Sequence, residues 1–301
     1  MIQASVDIGT NTVLMTVKNT ETGEIIGDFH NMARMGENLH LTGIIGEPAL
    51  GRLIKILSEY KETGKNLGVE KFSLFATSAM RDAKNRQHVI DSVKVITGFQ
   101  IEVISGDQEA ELTFNGGLDG LKVQAEQFGL IDIGGGSTEF IRGNRQTIFE
   151  KKSLNIGTVR LSERFHLQGE DPAKFQIPQF QSHVSEQLMT LPFHETPNTT
   201  WVAVAGTPTS LSAMLHGLKT YQPEVVHGST LPADFVREKR IEFQSIPSSE
   251  IRNRYPILGK RYDLMLAGCL ILESSMDFFG IKSLVVSDRG LRYGIFASKQ
   301  G

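Results

Sequence analysis

The stretch Asp132-Ile133-Gly134-Gly135-Gly136-Ser137-Thr138-Glu139 carries the clearest chemistry in this sequence. Three successive glycines strip the backbone of Cβ atoms, so amide groups can close around an oxyanion such as phosphate. An aspartate just before such a turn can hold a magnesium ion that bridges phosphate oxygens. The plainer alternative is a tight hairpin, because Gly and Asp are ordinary turn residues. A weaker relative of this loop lies near the N-terminus, Asp7-Ile8-Gly9-Thr10-Asn11-Thr12. Thr77-Ser78-Ala79-Met80-Arg81-Asp82 places two hydroxyls at an expected helix start, where anions bind. Arg81 follows, with a guanidinium suited to fork onto a phosphate. Gly206-Thr207-Pro208-Thr209-Ser210 repeats that turn in the second half, with Pro208 suited to a first helical turn. Asn155-Ile156-Gly157-Thr158-Val159-Arg160 is a further Gly-Thr helix start. In Ile104-Ser105-Gly106-Asp107-Gln108-Glu109-Ala110-Glu111-Leu112 the two glutamates are two positions apart and point to different faces. Spacing leaves both open as cleft residues, and leaves open that they only complement a helix dipole.

These loops need strands to carry them. Apolar runs predict strands over 4–8, 13–17, 25–29, 72–76 and 101–104, then over 128–133, 139–141, 147–151, 201–205 and 284–286. Helical spacing covers 48–67, 85–96, 107–118, 173–190, a segment from Thr209, a long apolar helix over 261–279 and a closing helix over 290–297. The two rounds match each other. Val6-Asp7-Ile8-Gly9-Thr10 aligns with Ile131-Asp132-Ile133-Gly134-Gly135, and the stretch ending at Thr77-Ser78 aligns with the one ending at Gly206-Thr207. The spacing is 70 residues from Asp7 to Thr77 and 74 from Asp132 to Gly206. An internal duplication is expected, with domains over 1–120 and 121–301. The closing helix, about 290–301, is expected to pack back on the first domain.

Length and composition fit this picture and exclude others. The chain has 301 residues, 40% hydrophobic and 22% charged, with net charge −3. That supports two cores without covalent staples, and the balance argues against a general nucleic-acid binder. The single cysteine, Cys269, excludes an intrachain disulfide or a cysteine metal cluster, and its apolar setting suggests an inert thiol. No signal-peptide pattern opens the chain and no apolar run approaches the ~20 residues of a membrane span, so a cytoplasmic protein is expected. Basic pairs at 151–152, 239–240, 252/254 and 260–261 read as solvated faces or as a track for a polyanion. There is no Gly-x-x-x-x-Gly-Lys-Ser/Thr loop, no His-Glu-x-x-His and no Gly-x-Ser-x-Gly.

Taken in order, the motifs at 7–12, 77–83, 104–110, 132–139 and 206–207, with Ser287-Asp288-Arg289-Gly290-Leu291-Arg292-Tyr293-Gly294, resemble the exopolyphosphatase / guanosine pentaphosphate phosphatase family. That family lies within the actin, sugar-kinase and heat-shock-ATPase superfamily. The resemblance implies an α/β fold: a duplicated ribonuclease-H-like (actin-like) arrangement of two domains, with mixed sheets flanked by helices around a cleft. It assigns Glu109 as the catalytic base, Glu139 as a second essential acid and Asp132 as the metal-side carboxylate. Thr10 and Thr12 stand where many members carry serine, which keeps the hydroxyls. Set against longer members, which add C-terminal helical domains, the chain is expected to lack them and to offer less surface for holding very long substrates.

The implied reaction is removal of the terminal phosphoryl group of inorganic polyphosphate. The phosphate would be bound by Gly9, Thr10, Asn11, Thr12, Thr77, Ser78, Gly134, Gly135, Gly136, Ser137, Thr138, Gly206 and Thr207. Magnesium, or manganese in its place, would sit at Asp132, Asp7 and Glu139; Arg81 would clamp an oxygen and Glu109 would deprotonate the attacking water. Guanosine pentaphosphate hydrolysis and a non-catalytic polyphosphate or alarmone sensor are the other readings. Retention of both Glu109 and Glu139 disfavours the sensor, and the 104–110 motif does not suit a sugar kinase. No nucleic acid or membrane partner is expected, and a homodimer is the base-rate expectation.

Overall fold

The computed structural model describes residues 1–193 and 198–297. The chain opens with three antiparallel strands, β1 (Ile2–Ile8), β2 (Thr12–Asn19) and β3 (Ile25–Met32), followed by α1 (Leu39–Thr42) and the long α2 (Glu47–Asn66). Then come β4 (Lys71–Ala76), α3 (Ser78–Asp82), α4 (Arg86–Thr97), β5 (Ile101–Val103) and α5 (Gly106–Leu118). The second round runs β6 (Gln127–Ile133), β7 (Thr138–Gly143), β8 (Ile148–Leu154), α6 (Thr158–Arg164), α7 (Ile177–Leu188), β9 (Thr199–Val204) and α8 (Gly206–Leu215). After it come α9 (Pro223–Val226), β10 (Thr230–Pro232), α10 (Ala233–Ser245), α11 (Ser248–Arg254), a 3-10 segment Pro256–Leu264, α12 (Met265–Phe278), β11 (Ser283–Val286) and α13 (Leu291–Ala297).

Packing divides the chain into two units that change over at Gly116/Gly117, within α5, a few residues before the expected Gly120. The first sheet has the order β3-β2-β1-β4-β5 and the second β10-β11-β9-β6-β7-β8. Read from the third strand of each round, the two orders are the same, with β10 added at one edge. In each, the first strand pairs antiparallel with the second and parallel with the strand that follows the first helical segment. This is the duplicated ribonuclease-H-like, actin-like arrangement.

Apolar spacing explains the layers. Along α2 the buried side chains are Ala49, Leu50, Leu53, Ile56, Leu57 and Tyr60, a stripe at helical period that covers the first sheet. In the second unit α12 is buried almost all round, from Met265 to Met276, as expected of a helix within the core. Two elements differ from the sequence expectation. The helix expected over 173–190 is split, because Pro178 lacks an N–H and biases Ile177 away from a preceding helical turn; a short 3-10 turn stops at Lys174 and α7 starts at Ile177. The helix expected over 261–279 also begins late. The polar residues 260–263 belong to the 3-10 segment, kinked at Gly259 with φ of 54°, and α12 starts where the apolar run does.

The strand order decides where chemistry can sit. In the first unit the 9–12 turn, the Thr77 turn and α5 leave from the carboxyl ends of the adjacent parallel strands β1, β4 and β5. In the second, the 134–137 turn, the Gly206 turn and the segment from Ser287 leave from the corresponding ends of β6, β9 and β11. Ligands of open α/β sheets bind at such ends.

The closing helix α13 belongs to the first unit, and residues 298–301 of the expected closing helix lie outside the described residues. α13 is anchored by a buried ion pair. Arg292 Nε and Nη2 donate to the two carboxylate oxygens of Asp28 on β3, at 3.0 and 2.8 Å. Tyr293 Oη adds a bond to the same carboxylate at 2.9 Å. Burial alone would raise the Asp28 pKa, but hydrogen bonding from His30 and the charge of Arg292 hold it well below the usual carboxylate range. Asp28→Asn is therefore expected to cost about 3–5 kcal/mol at neutral pH, since Arg292 is left buried without its counter-charge. The sign follows from the lowered value. The contribution is full above the unfolded-state pKa of about 3.9 and drains away as pH falls toward the folded value. Urea unfolding of wild type and Asp28→Asn should show a gap at pH 7 that narrows at pH 3.

Candidate active site

In the first unit, the backbone builds the site before side chains enter. The Gly9 N–H donates to the Thr12 carbonyl at 2.9 Å, and a Cβ at Gly9 would come within 3.0 Å of that same oxygen. The carbonyls of Thr10 and Asn11 accept from the amides of Gly36 and Arg34, at 2.8 and 3.0 Å. With its carbonyls bound behind it, the turn keeps its N–H side for a ligand. Thr10 is buried, and among the described residues its hydroxyl has no hydrogen-bond partner, a cost that a bound phosphate oxygen would remove.

The Thr77 turn lies alongside, with the Thr77 amide donating to the Ile8 carbonyl at 3.2 Å and Thr77 and Ser78 both buried. One helical turn on, Arg81 Nη1 donates to Glu109 Oε2 at 2.5 Å and to the Ile104 carbonyl at 3.2 Å. Glu109 is 8% exposed, whereas Glu111 is exposed on the outer face of the helix. Burial pushes the Glu109 pKa up, against the opposing effects of the Arg81 charge and hydrogen bonds from Arg81 and Thr77. A carboxyl with raised proton affinity, fixed in the first turn of a helix that leaves a strand end, is equipped for general-base work. Arg81 thus binds Glu109 rather than standing free for phosphate. Both bonds use Nη1, and among the described residues Nε and Nη2 donate to no protein group.

The second unit repeats the loop. The Gly134 N–H donates to the Ser137 carbonyl at 3.0 Å, the counterpart of the Gly9 bond. The Gly134 and Gly135 carbonyls accept from the amides of Thr158, Val159 and Arg160 at 2.9–3.1 Å, and Arg160 Nε donates to the Gly136 carbonyl at 2.8 Å. The Gly157-Thr158 helix start is therefore a buttress for the glycine turn, not a separate anion site. Thr138 departs from its expected role as well: its hydroxyl donates to the Ile156 carbonyl, so its proton is committed within the sheet. Ala205, at the Gly206 turn, holds φ of 76° and ψ of −169°, a backbone region that costs a non-glycine residue strain of the kind found at functional sites. Thr207 is buried at the start of α8.

Asp132 on β6 stands directly opposite Glu139 on β7, and Glu139 directly opposite Ser153 on β8. Glu139 is 1% exposed and accepts from Ser153 Oγ at 2.6 Å. Like charges directly opposite each other destabilise a strand pair, so this acidic pair fits a cation. Among the described residues no group of three or more His, Cys, Asp or Glu side chains is assembled as a metal site. Asp132 and Glu139 are the carboxylates that would hold magnesium, which commonly takes one or two carboxylates and fills its shell with phosphate oxygens and water.

Two residues went unread in the sequence. Ser153 becomes visible only once three strands are in register. Arg261, grouped there among basic pairs read as solvated faces or as a track for a polyanion, has its guanidinium carbon 3.3 Å from where a Cβ of Gly206 would lie. Nothing in its local sequence marks that position, because a kinked 3-10 segment sets it.

The duplicated fold defines a protein of the actin-like class. The sequence matches the Ppx/GppA phosphatase family over residues 16–301. The chain belongs to that family. It is 32% identical over 301 residues to a bifunctional 3-dehydroquinate synthase/phosphatase of Fusobacterium nucleatum, a match covering 95% of this chain and 45% of that protein. The chain thus spans less than half the length of that relative. It is 29% identical over 317 residues to exopolyphosphatase 2 of Mycobacterium tuberculosis, covering 99% of this chain and 98% of that protein. The crystal structure of the Aquifex aeolicus member of the Ppx/GppA family superimposes with a TM-score of 0.81 at 31% identity, over 99% of this chain and 97% of that one.

If Glu139 holds a metal, removing the Ser153 hydroxyl that orients its carboxylate would cost about 10–100-fold in activity or metal affinity. Ser153→Ala is accordingly expected to raise the magnesium concentration needed for half-maximal phosphate release about tenfold or more, while the fold, checked by circular dichroism, is retained.

Proposed function

We propose that this protein is an exopolyphosphatase, cleaving the terminal phosphoanhydride bond of inorganic polyphosphate with Glu109 as general base. The observation that carries the reading is the buried Arg81–Glu109 pair beside an anion turn whose carbonyls are already bound. The names of full-length relatives such as exopolyphosphatase 2 support the substrate class.

In the proposed reaction a water oxygen attacks the terminal phosphorus as the bridging P–O bond breaks. The water's proton passes to the Glu109 carboxylate, and the shortened chain leaves with the bridging oxygen. Amides of residues 10–12 and the hydroxyls of Thr10, Thr77 and Ser78 bind phosphate oxygens. In the second unit the amides of Gly135, Gly136 and Ser137 and the Thr207 hydroxyl do the same. Arg81 holds Glu109 in place through Nη1 and offers its remaining edge to a non-bridging oxygen. Asp132 and Glu139 in the second unit, and Asp7 in the first, are the carboxylates that would be available to magnesium, which when bound would neutralise charge on phosphate oxygens. Phosphoryl transfer depends mainly on such positioning and electrostatics. A cytoplasmic setting belongs to the proposal; no helix among the described residues is long and apolar enough to cross a membrane.

Glu109→Gln should retain substrate binding and lose roughly 10²–10⁴-fold in turnover. The test is phosphate release with magnesium from long polyphosphate, short polyphosphate and guanosine pentaphosphate, side by side. Release from polyphosphate that vanishes in Glu109→Gln is the expected result. Release from the nucleotide alone would move the assignment to a guanosine pentaphosphate phosphatase, and binding without release to a sensor.

A further inference from the structure

The segment 287–294 was singled out in the sequence, yet the reaction above gives its last residues no task. Their surroundings supply one. Gly294 of α13 lies so close to α5 that a Cβ there would overlap the Leu112 carbonyl. Leu112 is one helical turn beyond Glu109 on the same helix. Leu291 and Ile295, also on α13, pack with Ile104, and Phe75 and Leu112 close over them. Ile104 is the residue whose carbonyl receives Arg81 Nη1. One small cluster therefore underlies both members of the Arg81–Glu109 pair.

That cluster is pinned from the far side. Arg292 and Tyr293 bind Asp28 on β3, and Ser5 Oγ on β1 donates to the Arg292 carbonyl at 2.5 Å. Short, buried contacts fix α13 on the sheet, and the missing Cβ of Gly294 sets how near α5 can come.

We propose that α13 is a positioning element for the Arg81–Glu109 pair, with Gly294 as the positioning residue that sets the seat of α5 and hence the placement of the Glu109 carboxylate. Packed interiors tolerate little added volume, so an extra methyl at Gly294 moves α5 rather than being absorbed. The inference rests on the reading of Glu109 as the base.

The test uses full-length Gly294→Ala, with folding checked by urea unfolding. Two readouts are taken: steady-state phosphate release from polyphosphate, and the Glu109 carboxyl titration by carbon-13 NMR on glutamate-labelled protein, assigned by its absence in Glu109→Gln. In folded Gly294→Ala we expect kcat to fall at least tenfold with KM changed less than twofold. The Glu109 midpoint should move away from its wild-type value, because burial and the Arg81 contact both change when α5 shifts. Wild-type kcat and an unchanged midpoint in a folded variant would overturn the proposal. Should Gly294→Ala fail to fold, Ile295→Val is read by the same titration: a shifted midpoint supports the proposal and an unmoved midpoint overturns it. The titration needs no substrate. A wild-type enzyme inactive on every polyphosphate tried would therefore count against the exopolyphosphatase reading, while the NMR shift still decides the role of α13.

Discussion

The first unit depends on one costly interaction, the buried ion pair between Arg81 and Glu109. Taking two charges from water costs several kcal/mol per ion, and attraction repays it only where geometry is tight and the remaining polar groups find partners. Here the pair is closed by the Ile104 carbonyl on the arginine side and by Thr77 on the glutamate side. Burial and the arginine act on Glu109 in opposite directions, and burial prevails. The outcome is a carboxyl that holds its proton more tightly than a surface glutamate while staying locked to one position. A base needs both properties, and neither comes from the residue type alone.

The duplication solves a second problem, which is how to leave amides facing a ligand without leaving carbonyls unpaired. In both units the segment after the third strand turns back and donates its N–H groups to the carbonyls of the anion turn. The two copies then diverge in chemistry. The first turn, Gly-Thr-Asn-Thr, adds side-chain hydroxyls; the second, Gly-Gly-Gly-Ser, gives up side chains for backbone approach and sets beside itself the Asp132–Glu139–Ser153 row across three strands. The first unit holds the buried Arg81–Glu109 pair, and the second a row of two carboxylates and a serine across three strands.

Much of this was legible in the sequence because it is local. Strand ends followed by Gly-rich or Thr-Ser turns announce themselves by composition, and repetition at 70 and 74 residues exposes the duplication. The choice between Glu109 and Glu111 was not legible from spacing. The resemblance assigned the base to Glu109, and the structure places Glu109 inside and Glu111 outside. Other features were hidden because they depend on distant partners. Ser153 matters through strand register, Arg261 through a kinked 3-10 segment, and Gly294 through the approach of a helix nearly two hundred residues earlier. Thr138 was misjudged for the same reason, since only the packed sheet shows that its hydroxyl serves Ile156. The 3-10 turn and late start of α7, and the delayed α12, show local proline and glycine chemistry overriding an apolar period read over too long a window.

The central claim is that Glu109 takes the proton of the attacking water, and that its proton affinity is set by burial against Arg81. The most direct measurement is the pH dependence of kcat on saturating long-chain polyphosphate, in wild type and in Arg81→Gln. Because Arg81 lowers the Glu109 pKa, its removal should leave an acid limb that begins at higher pH than in wild type. The wild-type limb should itself lie above the usual glutamate value of about 4.3. An acid limb at the same pH in both proteins would contradict the account.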